Sequence, residues 1–225
     1  MISVLYEDNH IIAVNKRPSD IIQGDKTGDK PLGEFVKDYI KKKYDKPGEV
    51  YLGVVHRIDR PVSGVILFAK TSKALSRLNK LFQERAVKKT YWAVVKNKPI
   101  EESSRLVHYL KKNQQKNKSF AFTREENGAL LSELDYKIIK TLDSFYLLEV
   151  KPKTGRHHQI RVQLSSIGSP IKGDIKYGSK RTNSNASIHL HARKIEFVHP
   201  IKKEKIEIIA PPPPKDSIWK ACLSS

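Results

Sequence analysis

No wholly apolar run in this chain exceeds the five residues of Val65–Ala69 (Val-Ile-Leu-Phe-Ala), and that bound limits what it can fold into. A membrane-spanning helix needs about 20 apolar residues, so the chain does not read as a helical membrane protein. A short apolar run bounded by turn residues reads instead as a buried strand, here Gly64–Lys70. Thr71-Ser72 then offers helix N-caps, with Leu75, Leu78, Leu81 and Phe82 at helical spacing behind them.

Strand-like segments recur along the chain. They fall at His10–Asn15, Lys89–Val95, Ser104–Leu110, Ser119–Thr123, Ser132–Leu142, Phe145–Val150, Ile188–Phe197 and Glu204–Ile209. Helical patterns are fewer. One is Gly33–Lys43 with Phe35, Tyr39 and Ile40 on one side, and one is His158–Ile167 with Ile160, Leu164 and Ile167 on its apolar stripe. Gly168 can close the second, Pro170 prevents its continuation, and a short terminal helix is expected around Trp219. Lys16-Arg17-Pro18 is expected to turn the chain, and residues 20–30 to form a mobile loop. Pro211–Pro214 reads as a stiff terminator. Many strands with few helices predict an α+β fold on a large mixed, mostly antiparallel β-sheet flanked by a few helices and loops.

The 225 residues suit one large domain or two small ones. The N-terminus has neither a basic nor an apolar signal region, and Cys222 is the sole cysteine, so a reducing cytoplasm is expected. Lys and Arg number 43 against 24 Asp and Glu, a formal net charge of +19. Charge of that size attracts polyanions.

Within this basic chain one stretch stands out, Val54–Lys70, where Asp59 lies between Arg57 and Arg60 just before a turn and the apolar strand. Adjacent guanidinium groups favour the ionised acid. Period-2 alternation would aim Arg57 and Asp59 at one face. Two windows hold much of the excess charge. Residues 103–124 carry six basic side chains and no acid, and look like a hairpin whose tip, Lys111–Lys116, would grip phosphates without reading bases. Residues 151–182 carry eight basic side chains and the single acid Asp174. There the helix is expected to begin near His157–His158, so its positive end would share a phosphate or carboxylate site with Arg156.

Together these stretches resemble the RluA-like family of RNA pseudouridine synthases. The resemblance rests on His56-Arg57-Ile58-Asp59-Arg60, Ser63-Gly64, Ala69-Lys70, Lys89-Thr90-Tyr91, Gly155–Arg161 and Gly168–Gly178, in order across roughly residues 6 to 210. Pro61-Val62, Gln163 and Pro18-Ser19-Asp20 depart from the usual family pattern. The resemblance implies an enzyme that isomerises uridines in structured rRNA or tRNA to pseudouridine, without metal or cofactor, in one catalytic domain over 1–225 with no separate N-terminal RNA-binding domain. It implies Asp59 as the catalytic carboxylate, by attack or through a glycal. Tyr91 would stack on the uracil and assist loss of the C5 proton, and Arg161 would pair with Asp59. Ile160 would contact the base from the other side, Arg57 would fill the gap left by a flipped base or contact phosphates, and Arg156 and Lys172 would hold phosphates. His56 and His158 would support loops. No exposed apolar helix stripe is evident, so a monomer whose partner is RNA is expected.

Two rival readings are weighed against this. One is a non-catalytic RNA-binding protein with the same fold, against which the set Asp59, Tyr91 and Arg161 argues. The other is a metal-dependent nuclease drawing on His157-His158 and His189-Xaa-His191, whose spacing looks structural rather than ligating.

Overall fold

The computed structural model describes residues 2–24 and 28–224. The chain is α+β, with eleven strands, four α-helices and one 3-10 turn among the described residues, on a large and mostly antiparallel sheet, as the strand-rich pattern predicts. It divides into two compact units. One comprises 1–89 with 192–213, the other 90–191 with 214–225.

In the first unit β1 (Val4–Glu7), β2 (Ile11–Lys16) and β4 (Ser63–Ala69) run antiparallel in that order, and β3 (Gly53–Val54) adds a short pairing to β4. β4 is buried at all seven positions, which explains its unbroken apolar run. Residues 194–198 of β10 (Leu190–Val198) form an antiparallel pair with β11 (Lys205–Ile209) in this unit. Gly64 is required where it stands. Its φ is +121°, and a Cβ there would lie 2.3 Å from the carbonyl oxygen of Ala192.

Two helices cover this unit's strands. In α1 (Leu32–Lys43) the buried stripe is Leu32, Val36 and Ile40, closed by Gly33. The expected stripe placed Phe35 inward; Phe35 is instead 45% exposed, with the Lys30 ammonium over its ring. α2 (Ser72–Gln83) starts where its cap predicts, the Thr71 hydroxyl accepting the Ala74 amide at 3.2 Å. Ile12, Val14, Ile66 and Phe68 form the core with α1, and Ile58 packs against them. Two more corrections concern this unit. β2 runs through Lys16 rather than turning there. Of the loop expected over 20–30, residues 25–27 lie outside the described residues.

The second unit is an antiparallel meander in the order β5 (Lys88–Val95), β9 (Tyr146–Pro152), β8 (Leu130–Thr141), β6 (Ser103–Asn113), β7 (Lys118–Phe122). Lys111 and Lys112, expected in the hairpin tip, belong to β6; the reversal itself is 114–117, with Asn117 in the left-handed region. α3 (Gln159–Ser166) packs on β6 and β7, and Gly168 ends it with φ +79°. A simple apolar stripe was expected for α3, but its first six residues are all buried, polar Gln159, Arg161 and Gln163 included, while Ile167 is half-exposed. α4 (Ser217–Leu223) is capped by Asp216 and inserts Trp219 beside Val94 and Leu147. No helix among the described residues is long and apolar enough to cross a membrane.

Candidate active site

Asp59 does not sit on a strand. Residues 55–59 are irregular, so strand alternation is not what orients Arg57 and Asp59. The segment is fixed from beneath instead. Ile58 is drawn into the first unit's core, while Asp59 stays half-buried and Arg57 exposed. The Asp59 carbonyl accepts the Val62 amide at 3.0 Å, closing the turn after the acid.

Two side chains hold this loop in place, one buried and one partly buried. Lys16 is 1% exposed, and its ammonium donates to the carbonyls of Arg17 (2.9 Å), Arg60 (3.0 Å) and Val62 (2.7 Å). Three N–H groups meet three acceptors, so the buried cation is fully satisfied. Burial pushes its pKa down to about 8, against the opposing charges of Asp20 and Asp59. The sequence reading missed Lys16, and a single lysine ending a strand carries no signal of this role. His56 works from the other side. Its Nε2 accepts the Leu67 amide at 3.0 Å and its ring stacks on Phe82 at 5.0 Å. Burial, reinforced by the Lys89 charge, pushes its pKa down to about 3, so it is neutral and structural. Arg57 donates to the Gln23 side chain at 3.1 Å, and Arg60 pairs with Asp29 at 2.6 Å.

In the second unit Tyr91 pairs with Val150, and Val150 with Tyr136. This row shares the face on which Leu106, His108 and Leu110 meet α3, because cross-strand partners point the same way. Tyr91 and the helix that carries Arg161 therefore occupy one face of this unit. Arg161 is buried and forks onto Asp174, Nε to Oδ2 at 2.7 Å and Nη2 to Oδ1 at 2.9 Å, with its guanidinium 5.1 Å from the Tyr177 ring centre. Asp174 takes two of the guanidinium's five donors. Sequence reasoning noticed Asp174 only as the lone acid of its window, and that isolation among eight cations was the available signal.

The remaining candidates are partnered too. Ile160 is buried in α3. Arg156 donates from Nε to the Leu131 carbonyl at 3.3 Å. Its backbone amide is taken by the Gln159 side chain at 3.0 Å, which also accepts from Thr154 at 2.8 Å. At the start of α3 itself His158 makes no side-chain cap bond, and the Gln159 amide donates to the Arg156 carbonyl at 3.1 Å. Lys172 donates to Asn183 at 2.6 Å, and burial lowers its pKa. His157 and His158 stack at 3.7 Å, the first contacting Ser119 and Asn117, the second Tyr177. His189 contacts Asn183 and Asp216. These histidines brace neighbouring segments.

The first unit thus presents Asp59 on a braced loop, and the second carries Tyr91 and the forked Arg161 on one face, in a chain of net charge +19. Comparisons with known proteins identify the family. A family model for RNA pseudouridylate synthase matches residues 10–166, a span that includes Asp59, Tyr91 and Arg161. The ribosomal large subunit pseudouridine synthase C of Buchnera aphidicola subsp. Schizaphis graminum is 36% identical over 216 residues, 93% of this chain and 67% of the relative. That of Vibrio cholerae is 32% identical over 92% of this chain and 65% of its own length. The tRNA pseudouridine synthase C of the same organism is 30% identical over 100% of this chain and 95% of its own. The chain thus spans about two thirds of the length of the ribosomal-subunit synthases it matches. The fold is shared with human RNA pseudouridylate synthase domain containing 4, with a TM-score of 0.76 at 22% identity, covering 92% of this chain and 87% of that one. The chain belongs to the RNA pseudouridylate synthase family, whose members are isomerases.

Proposed function

We propose that this chain converts specific uridines of rRNA or tRNA to pseudouridine, with Asp59 as the catalytic carboxylate acting on an everted base. The reaction breaks the N1–C1′ bond, rotates the uracil and rejoins it through C5, so no redox partner or external donor is consumed. The observation that carries this reading is the matched span of residues 10–166, which contains the candidate acid on a loop held by Lys16 and His56. The fate of Asp174 adds support. An isomerase must keep the freed base and should not present a second carboxylate to water. The second acid of the motif windows is engaged by Arg161 in a buried pair.

In this reading Tyr91 stacks on the uracil and assists removal of the C5 proton, and Arg161 pairs with Asp59. Ile160 packs against the base. Arg57, Arg156 and Lys172 contact phosphates, with Arg57 entering the gap left by the flipped nucleotide, whose unstacking costs a few kcal/mol. Residues 1–225 act as one catalytic domain, as a monomer in the cytoplasm.

The experiment is tritium release from rRNA and tRNA transcripts labelled at uridine C5. Wild-type protein should release tritium and leave pseudouridine, while Asp59→Ala should bind the same RNA and release none. Release by the Asp59→Ala protein, or none by the wild type on any cellular RNA, would overturn the proposal.

A further inference from the structure

We propose that the outward face of β6, β7 and β8 is a platform on which unpaired RNA bases stack, outside the site that holds the target uridine. The inference rests on the RNA-modifying reading above and adds a second place where the substrate is gripped. In β6 the even positions Leu106, His108 and Leu110 point under α3, so Val107, Tyr109 and Lys111 point to the opposite face. Register then places Phe120 opposite Lys111, and both Phe122 and Leu131 opposite Tyr109. Three aromatic rings and Leu131 are neighbours across three strands, with Phe120 41% and Leu131 43% exposed. A contiguous apolar patch left in water on a stable sheet marks a binding surface more often than a packing accident.

The charge around the patch selects the partner. Lys111 and Lys118 share its face, and residues 103–124 contain no acid. Of the nearby carboxylates, Glu133 stands opposite Val107 at the margin of the patch within the field of Arg105, Glu126 is 4.0 Å from the Lys111 ammonium, and Asp135 is engaged by both Arg105 (2.8 Å) and Lys153 (2.9 Å). Aromatic rings interleaved with lysines suit single-stranded nucleic acid, in which base faces are free to stack while phosphates meet ammonium groups. An RNA duplex offers the phosphates but hides the base faces. The edge strand supplies continuity. The Lys118 ammonium lies 5.9 Å from the Phe120 ring centre and 5.3 Å from that of Tyr177, which is packed with α3 on the other face. A strand passing around β7 would stay in contact with positive charge throughout.

The test uses the full chain carrying Asp59→Ala, so that turnover does not intrude, with fluorescein-labelled r(U)12 and a 12-base-pair RNA duplex as probes in anisotropy titrations. Phe120→Ala should weaken r(U)12 binding about tenfold and duplex binding less than twofold. Phe120→Tyr, which keeps the ring, should bind r(U)12 within twofold of its parent. The salt dependence should be unchanged in Phe120→Ala, but shallower by about 0.7 in log–log slope for each phosphate contact removed by Lys111→Ala or Lys118→Ala. Unchanged r(U)12 binding by Phe120→Ala, equal losses on both probes, or a wild-type protein whose self-association disappears with the ring would each overturn the inference. Tritium release by the wild-type protein is read separately, so failure of the platform and failure of the proposed activity are distinguishable.

Discussion

The Lys16 ammonium donates to the Val62 carbonyl at 2.7 Å, joining the end of β2 to the loop that presents Asp59, 46 positions away. With the carbonyls of Arg17 and Arg60 it makes a three-way tie beneath the carboxylate's own segment. In the proposed reaction such a contact would act without touching substrate, by fixing where Asp59 sits.

Lys16→Met is expected to expose that dependence. The methionine fills the space, but the carbonyls of Arg17, Arg60 and Val62 lose their donor, at a cost of about 1–3 kcal/mol for each that water does not reach. Urea denaturation should show a loss of about 3 kcal/mol. Steady-state assays should show kcat reduced at least about tenfold with KM for RNA nearly constant, because a misplaced acid fails in the transition state more than in binding. A parallel rise in KM with unchanged kcat would place Lys16 in RNA binding instead.

How much of this could be read beforehand follows a physical divide. Local patterns were legible: the uniform burial of β4 in its apolar run, the Thr71 cap, the Gly168 stop after α3. Features that depend on non-local contacts were not. A buried lysine cannot be told from a surface one by its neighbours, and β1 and the two-residue β3 are strands only because partners lie beside them. Gln159 and Gln163 look like a polar helix face until the β-strand carbonyls that satisfy them, those of Glu133, Leu106 and Ser132, are in place. Motif order singled out Asp59, Tyr91 and Arg161 as candidates, while the Asp174 fork on Arg161 became visible only in three dimensions.

That fork makes a double-mutant prediction. Arg161→Met leaves a buried carboxylate without its cation and should destabilise the protein by about 3–5 kcal/mol. Adding Asp174→Leu removes the stranded charge and should restore most of the loss, though activity should stay absent. Denaturant midpoints of the two single variants and the double variant measure the coupling directly. Simple additivity would mean that the pair contributes little as a pair.

Gly64→Ala should be among the most damaging single-methyl changes in the chain. The new Cβ would lie 2.3 Å from the Ala192 oxygen, in a backbone conformation that L-residues avoid. Either β4 or β10 must shift. Soluble yield and thermal midpoint should both fall sharply, by the equivalent of about 3 kcal/mol or more. Gly48→Ala is the control, since nothing lies within 4 Å of its Cβ position.

His56 sets an acid limit on stability whose sign can be worked out. Burial and the Lys89 charge depress its folded pKa from 6.5 to about 3. Between those values the unfolded chain binds a proton that the folded one does not, so stability rises with pH across the window and is lost as pH falls from 6.5 towards 3. Protonation would also put a hydrogen where Nε2 accepts the Leu67 amide. From pH 7 to pH 5 this one group should remove up to about 2 kcal/mol. Glu7 and Asp8, both held down to about 2, lose their contributions mainly at lower pH, because their unfolded values are 4.5 and 3.8. His56→Gln, which keeps an acceptor without a titrating ring, should therefore flatten the stability profile between pH 7 and 5 while leaving the steeper fall below pH 4.5. Chemical denaturation of both proteins across that range would show the two curves converging as the pH drops. Curves that stay parallel would mean that His56 is not the group responsible.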